Sequence, residues 1–121
     1  MTFRELIELQ HEFDMKHGWT PDKKNMESVI NALNKDIVGL IGELGEFSNL
    51  VKKVNLLLDN GNVKNAGNLF GALKPALNEE IIDTLIYLMR IMSHLDIDVE
   101  EEYKNKMVKN RKKYEGYEID K

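Results

Sequence analysis

Between Val29 and Val54 the apolar residues Val29, Ile30, Leu33, Ile37, Leu40, Ile41, Leu44, Phe47, Val51 and Val54 recur at helical spacing without a break. A helix turns once in about 3.6 residues, so this spacing lays them in one stripe along a rod. A strand would need alternation at every second residue, and no segment of the chain alternates in that way. The run predicts a helix from about Asn25 to Leu58, stopped by the turn residues Asp59-Asn60-Gly61-Asn62. A rod of that length with an apolar stripe must be covered by other helices, so the fold class is all-α.

The rest of the chain supplies those helices. Phe3, Leu6, Ile7, Gln10 and Phe13 predict a first amphipathic helix ending near Lys16-His17-Gly18, with Trp19-Thr20-Pro21 as connector. Val63 to Lys74 is interrupted by glycine and asparagine and reads as a short helix or a loop able to move. Pro75 suits the first turn of a third long helix, which Leu77, Ile81, Leu85, Leu88, Met92 and Leu95 carry to about Ser93-His94. Asp96 and Asp98 are candidate caps for a last helix from Val99 to Tyr114, and Glu115 to Lys121 reads as a frayed tail. At 121 residues the whole chain, 1–121, makes a single helical domain. Its core is small, so broad stripes would gain from pairing with a second copy.

A net charge of -4 and a pI near 5.4 give no general attraction to nucleic acid or anionic membranes. The absence of cysteine removes disulfides, thiolate zinc sites and cysteine nucleophiles together. With no leader-like apolar segment after Met1 and no membrane span, a cytoplasmic location is expected.

Two carboxylate pairs carry chemistry. On the long helix the stripe is centred near Leu44 and Val51, Glu43 lies at its margin, and Glu46 stands about 60° further round. Gly39, Gly42 and Gly45 surround the pair, and interior helix glycines cost about 1 kcal/mol each, so a close approach by a ligand or a helix is expected there. On the third helix Glu80, Asp83 and Tyr87 share one flank, while Glu79 falls away from them beside Arg90. Two such pairs on facing helices would repel unless a divalent cation sat between them. Hard oxygens favour Mg²⁺, or Mn²⁺ as a substitute, and Mg²⁺ commonly shares its shell with substrate phosphates. On the last helix Tyr103, Lys106, Met107, Asn110 and Tyr114 share a face, offering an ammonium and an amide to such a phosphate.

Glu43-Leu44-Gly45-Glu46, then Glu80-Ile81-Ile82-Asp83 with Tyr87 one turn on, then the Lys106 to Tyr114 block resemble the successive signatures of the MazG-like all-alpha nucleotide pyrophosphohydrolases. The last block is similar to the terminal block of the dCTP pyrophosphatase branch, and the resemblance covers residues 25 to 114. It implies a four-helix bundle of the all-alpha NTP pyrophosphatase type, completed as a homodimer or homotetramer. The implied activity is Mg²⁺-dependent cleavage of a nucleoside triphosphate, of the deoxy series, to the monophosphate and pyrophosphate. By the same resemblance Glu43, Glu46, Glu80 and Asp83 are the metal-binding and catalytic residues, Lys106 and Asn110 contact phosphate or nucleotide, and Tyr87 lines the sugar or base pocket. Trp19 is the candidate base-stacking residue. The 33 residues between Glu46 and Glu80 exceed the usual family spacing.

Three other readings compete. A di-iron bundle needs Glu-x-x-His pairs on two helices, and His11, His17 and His94 are read as offering none. A non-catalytic helical interaction module would leave the carboxylates merely solvated. The basic run from Lys104 to Lys113 suggests a nucleic-acid binder, but Glu100, Glu101 and Glu102 precede it and the chain is acidic overall.

Overall fold

In the computed structural model, which describes residues 1–119, four α-helices and one 3-10 turn follow in order: α1 (Phe3–Lys16), α2 (Met26–Asp59), α3 (Val63–His94), α4 (Val99–Tyr114) and the turn Glu115–Tyr117. The described residues contain no strand, and no helix among them is long and apolar enough to cross a membrane. Of the tail read as frayed, 115–117 form that 3-10 turn, and 120–121 lie outside the described residues.

Each α-helix starts on a side-chain cap: Thr2, Asn25, Asn62 and Asp98 accept from backbone N–H groups two or three residues on. Three helices also end alike. Gly18, Gly61 and Asp96 take left-handed φ values of 72°, 74° and 52°, and the next residue's N–H returns to the last turn: Trp19 to Asp14, Asn62 to Leu57, Ile97 to Met92. Asp96 therefore closes α3, and Asp98 alone caps α4; aspartate is among the few non-glycine residues that accept this conformation readily.

The segment 63–74, read as a loop or a short helix, belongs to α3, and Pro75 lies inside that helix instead of at its start. Packing explains the difference. The three-residue turn Asn60–Asn62 folds α3 back along α2, and Ala66 and Leu77 are buried on either side of the proline. The contact with α2 outweighs the roughly 3 kcal/mol by which proline disfavours a helix interior.

The stripe of α2 divides into two. Val29, Leu33, Leu40, Phe47 and Val54 are half-buried, whereas Ile30, Ile37, Ile41, Leu44 and Val51 are exposed. Only Ala66, Leu77 and Met89 are buried apolar residues among those described. α1 lies on α3, and α4 packs lightly on α1 without an interface on α2 or α3.

Charged groups tie the three packed helices together. Arg90, expected on an outer face beside Glu79, points inward: its Nη2 lies 3.5 Å from Asp36 on α2 and its Nε 3.3 Å from Asp14 on α1, the latter off the hydrogen-bond direction. His94 Nε2 meets Asp36 Oδ2 at 2.5 Å. Asp36→Ala strands the buried His94, takes one of two acidic partners from the half-buried Arg90, and is expected to destabilise the protein by about 3 kcal/mol. Thermal unfolding should show a fall of roughly 10 °C. Removing the exposed Glu12–Lys16 pair by Glu12→Ala should shift stability by less than about 1 kcal/mol. Equal midpoints for the two variants would refute the role given to the network.

Candidate functional site

The inward face of α2 carries Glu43 one turn before Phe47, and the antiparallel α3 brings Glu80 opposite it. One carboxylate oxygen from each of Glu43, Glu46 and Glu80 falls within a group whose members lie within 4.8 Å of one another. Glu43 and Glu80 are half-buried and Glu46 is exposed. Asp83, one turn along α3, stands outside that group but lines the adjoining cleft beside Glu43.

Glu80 feels this crowding most. Carboxylates can only accept hydrogen bonds, so its Oε2, shielded from solvent, has no partner. The carboxyl is pushed up to about 7, foremost because a proton on it can be shared with Glu43, then through loss of solvent, then through the hydrogen bond to Glu46 and the charges of Glu46 and Glu43. Glu80 thus keeps its proton to a higher pH than an ordinary glutamate.

Gly39 makes room on α2 for a neighbour: a Cβ there would overlap the ring of Tyr87. Around Gly42 and Gly45 no other group of the chain comes near, so the close approach of a helix is seen at Gly39.

Beside the acids lies a cleft of about 410 Å³ lined by Gln10, Phe13, Trp19, Asp83, Tyr87 and Arg90 among others. Trp19 and Tyr87 also border a second, larger hollow of about 740 Å³ under the 18–21 connector. The Arg90 guanidinium carbon is 5.6 Å from the Trp19 ring centre and 5.4 Å from that of Tyr87, so one cation lies over both aromatic rings. His17 stacks on Trp19 at 4.7 Å. The two aromatic residues singled out from sequence thus flank the cleft at the acids.

Lys106 and Asn110 do not join them. Neither lines either hollow, and α4 has no interface with the helices that carry the carboxylates. Glu8 and His11 do have the Glu-x-x-His spacing, which the sequence reading overlooked; they line a separate cleft with Arg4 and Lys23, away from the acid group. Also missed were Asp14, Asp36 and Arg90, because a charge on a helix's inner face looks like a solvated one until its partners are known. Comparison with family models, curated proteins and solved structures gives no match.

Proposed function

We propose that the chain is a MazG-like, Mg²⁺-dependent nucleoside triphosphate pyrophosphohydrolase, acting on a deoxynucleotide or a related triphosphate and releasing the monophosphate and pyrophosphate. The observation that carries this reading is the meeting of Glu43, Glu46 and Glu80 at the edge of a cleft walled by Trp19 and Tyr87. An all-oxygen donor set with a shielded, unpartnered Glu80 oxygen fits Mg²⁺ or Mn²⁺. Glu43, Glu46 and Glu80 would hold the ion, with Asp83 supplied from the next turn. The cation's contribution is neutralisation of phosphate charge.

The chain's own groups do the rest. The cleft bordered by Trp19 and Tyr87 receives the nucleoside, and a carboxylate of the group accepts the proton of the attacking water. In phosphoryl chemistry positioning and charge account for most of the acceleration, so no covalent nucleophile is needed. The test is a screen of nucleoside triphosphates for pyrophosphate release with and without Mg²⁺. Orthophosphate and the diphosphate as products would require abandoning the assignment.

The phosphate-side groups come, in this reading, from a second copy. The exposed stripe of α2 and the exposed Ile81, Ile82 and Leu88 of α3 leave apolar side chains bare on both helices that carry the carboxylates. α4 is the complement: unpacked on the carboxylate helices of its own chain, and basic in its last turn with Arg111, Lys112 and Lys113. In a two-fold pair, α4 of one protomer would bring Lys106 and Asn110 to the carboxylates of the other. Light scattering at micromolar concentration should give two or four chains per particle; a monomer would count against this arrangement.

The same bare stripes favour, as the second reading, a helical interaction module without catalysis. It predicts no nucleotide hydrolysis and no stabilisation by divalent cations.

A further inference from the structure

Of the three glycines that α2 carries beside its acidic pair, Gly39 alone meets a side chain of another helix. A Cβ built on it would stand 2.3 Å from Tyr87 Cζ, 2.4 Å from Cε1 and 2.8 Å from the hydroxyl oxygen. Non-bonded carbons settle at about 3.5–4.0 Å, so any residue larger than glycine must displace this ring. Arg90 lies over the same ring, its guanidinium carbon 5.4 Å from the centre. That cation is anchored from two sides, by Asp14 of α1 and Asp36 of α2. Tyr87 is therefore held between the backbone of α2 and a fixed charge.

Arg90 also lies over Trp19, at 5.6 Å, and His17 stacks on Trp19 from the end of α1. A line of contacts thus runs from Gly39 through Tyr87 and Arg90 to Trp19 in the connector. Tyr87, Arg90 and Trp19 border both the cleft at the acids and the larger hollow under residues 18–21. We propose that Gly39 is a positioning residue for substrate binding: by seating Tyr87 against α2 it keeps Arg90 over Trp19, and so sets the shape of the cleft and the place of the connector. A side chain at this position drives the ring off its seat, draws Arg90 away from Trp19 and frees the connector. Glu43, Glu46 and Glu80 are not members of this line, so the loss falls on binding of the nucleotide and not on the chemical step. In that consequence the inference rests on the pyrophosphohydrolase reading above, whereas the seating of Tyr87 stands apart from it.

Gly39→Ala is compared with Gly71→Ala, which alters a glycine of α3 that has nothing within 4 Å of an added Cβ. Both changes favour the helix, and Gly71→Ala should raise the thermal midpoint by about 4 °C and alter nothing else. Gly39→Ala should lower the midpoint instead. Trp19 is the only tryptophan of the chain, so its emission reports the connector and should shift to the red in Gly39→Ala as Arg90 leaves the ring. With Mg²⁺, the KM for a nucleoside triphosphate should rise about tenfold while kcat falls by less than about threefold. Tyr87→Leu removes the ring atoms that an added Cβ would meet. In that background Gly39→Ala should raise the midpoint as Gly71→Ala does, and leave emission and KM where Tyr87→Leu puts them. A general weakening of the fold would not reverse its sign in this way. Should Gly39→Ala alone fail to fold, recovery of folding in the double variant is the same expected rescue. Unchanged emission or unchanged KM in a folded Gly39→Ala, or effects that persist in the Tyr87→Leu background, overturn the assignment and leave the pyrophosphohydrolase reading intact. A wild-type protein that releases no pyrophosphate overturns that reading, and the midpoints and emission of the same variants then decide the seating of Tyr87 by themselves.

Discussion

Mixing Glu46→Ala chains with Lys106→Ala chains should restore pyrophosphate release although each variant alone is nearly inactive. Glu46 belongs to the acid group and Lys106 to a helix with no interface on it. In a mixed pair, one of the two sites receives intact carboxylates from one protomer and an intact α4 from the other. Random assortment into pairs gives about a quarter of the wild-type rate, from half the pairs having one good site of two. The single variants should differ in kind. Glu46→Ala spoils the metal's ligand set, and a loss of at least roughly a hundredfold in turnover is expected, since even outer-shell changes at metal sites reach that scale. Its fold should be intact, because removing one carboxylate relieves like-charge crowding. Lys106→Ala should raise KM as well as lower kcat, since an ammonium can hold phosphate before and during the reaction. A mixture no more active than the average of its parts would place all the groups of a site in one chain. Full activity of Glu46→Ala without added metal would remove the metal from the mechanism.

Divalent cations should raise the thermal midpoint, and the rise should grow with pH. Glu80 is pushed up from an unfolded value of 4.5 to about 7, facing Glu43 and Glu46 from α2 with Asp83 beside it on α3. A group whose folded value is raised binds its proton more tightly in the folded state. Its stabilising contribution is complete below pH 4.5 and is lost as pH climbs through 7. The metal-free protein should accordingly lose stability across that interval from this group. A cation competes with the proton for the same oxygens, so it binds weakly at pH 5 and well at pH 8. At a hundredfold excess over its dissociation constant it stabilises by about 2.7 kcal/mol, or roughly 10 °C for a chain of this size. Thermal scans with Mg²⁺ against chelator at the two pH values test the point. An equal shift at both, or none at pH 8, would contradict it, and Glu43→Gln should flatten the pH dependence.

Much of this arrangement was legible in the chain. Asn25 and Asp98 announce helix starts by their side chains, and Gly18 and Gly61 announce ends by their conformational freedom, whereas Asn62, read only as part of a turn, proves to be the cap of α3. These are local effects, decided within one turn of helix. The facing of Glu43 and Glu46 toward Glu80 was also within reach, because a 3.6-residue period plus a short turn leaves few ways to pair α2 with α3. The continuity of α3 through Pro75 was not. Local propensity argues against it, and only the burial of Ala66 and Leu77 against α2 overrides that propensity.

The sequence by itself determined α1, α2, α4, the second half of α3 and the two acidic pairs, since each depends on spacing along a single rod. Tertiary structure alone decided which half of the α2 stripe is covered, that Arg90 turns inward between Asp14 and Asp36, and that Lys106 lies on a helix without an interface on the carboxylate helices of its own chain. The reason is that a helix repeats its side chains around an axis but carries no record of its rotation against a neighbour. Residues distant in the chain, such as Asp36 and His94, find one another only when packing sets that rotation.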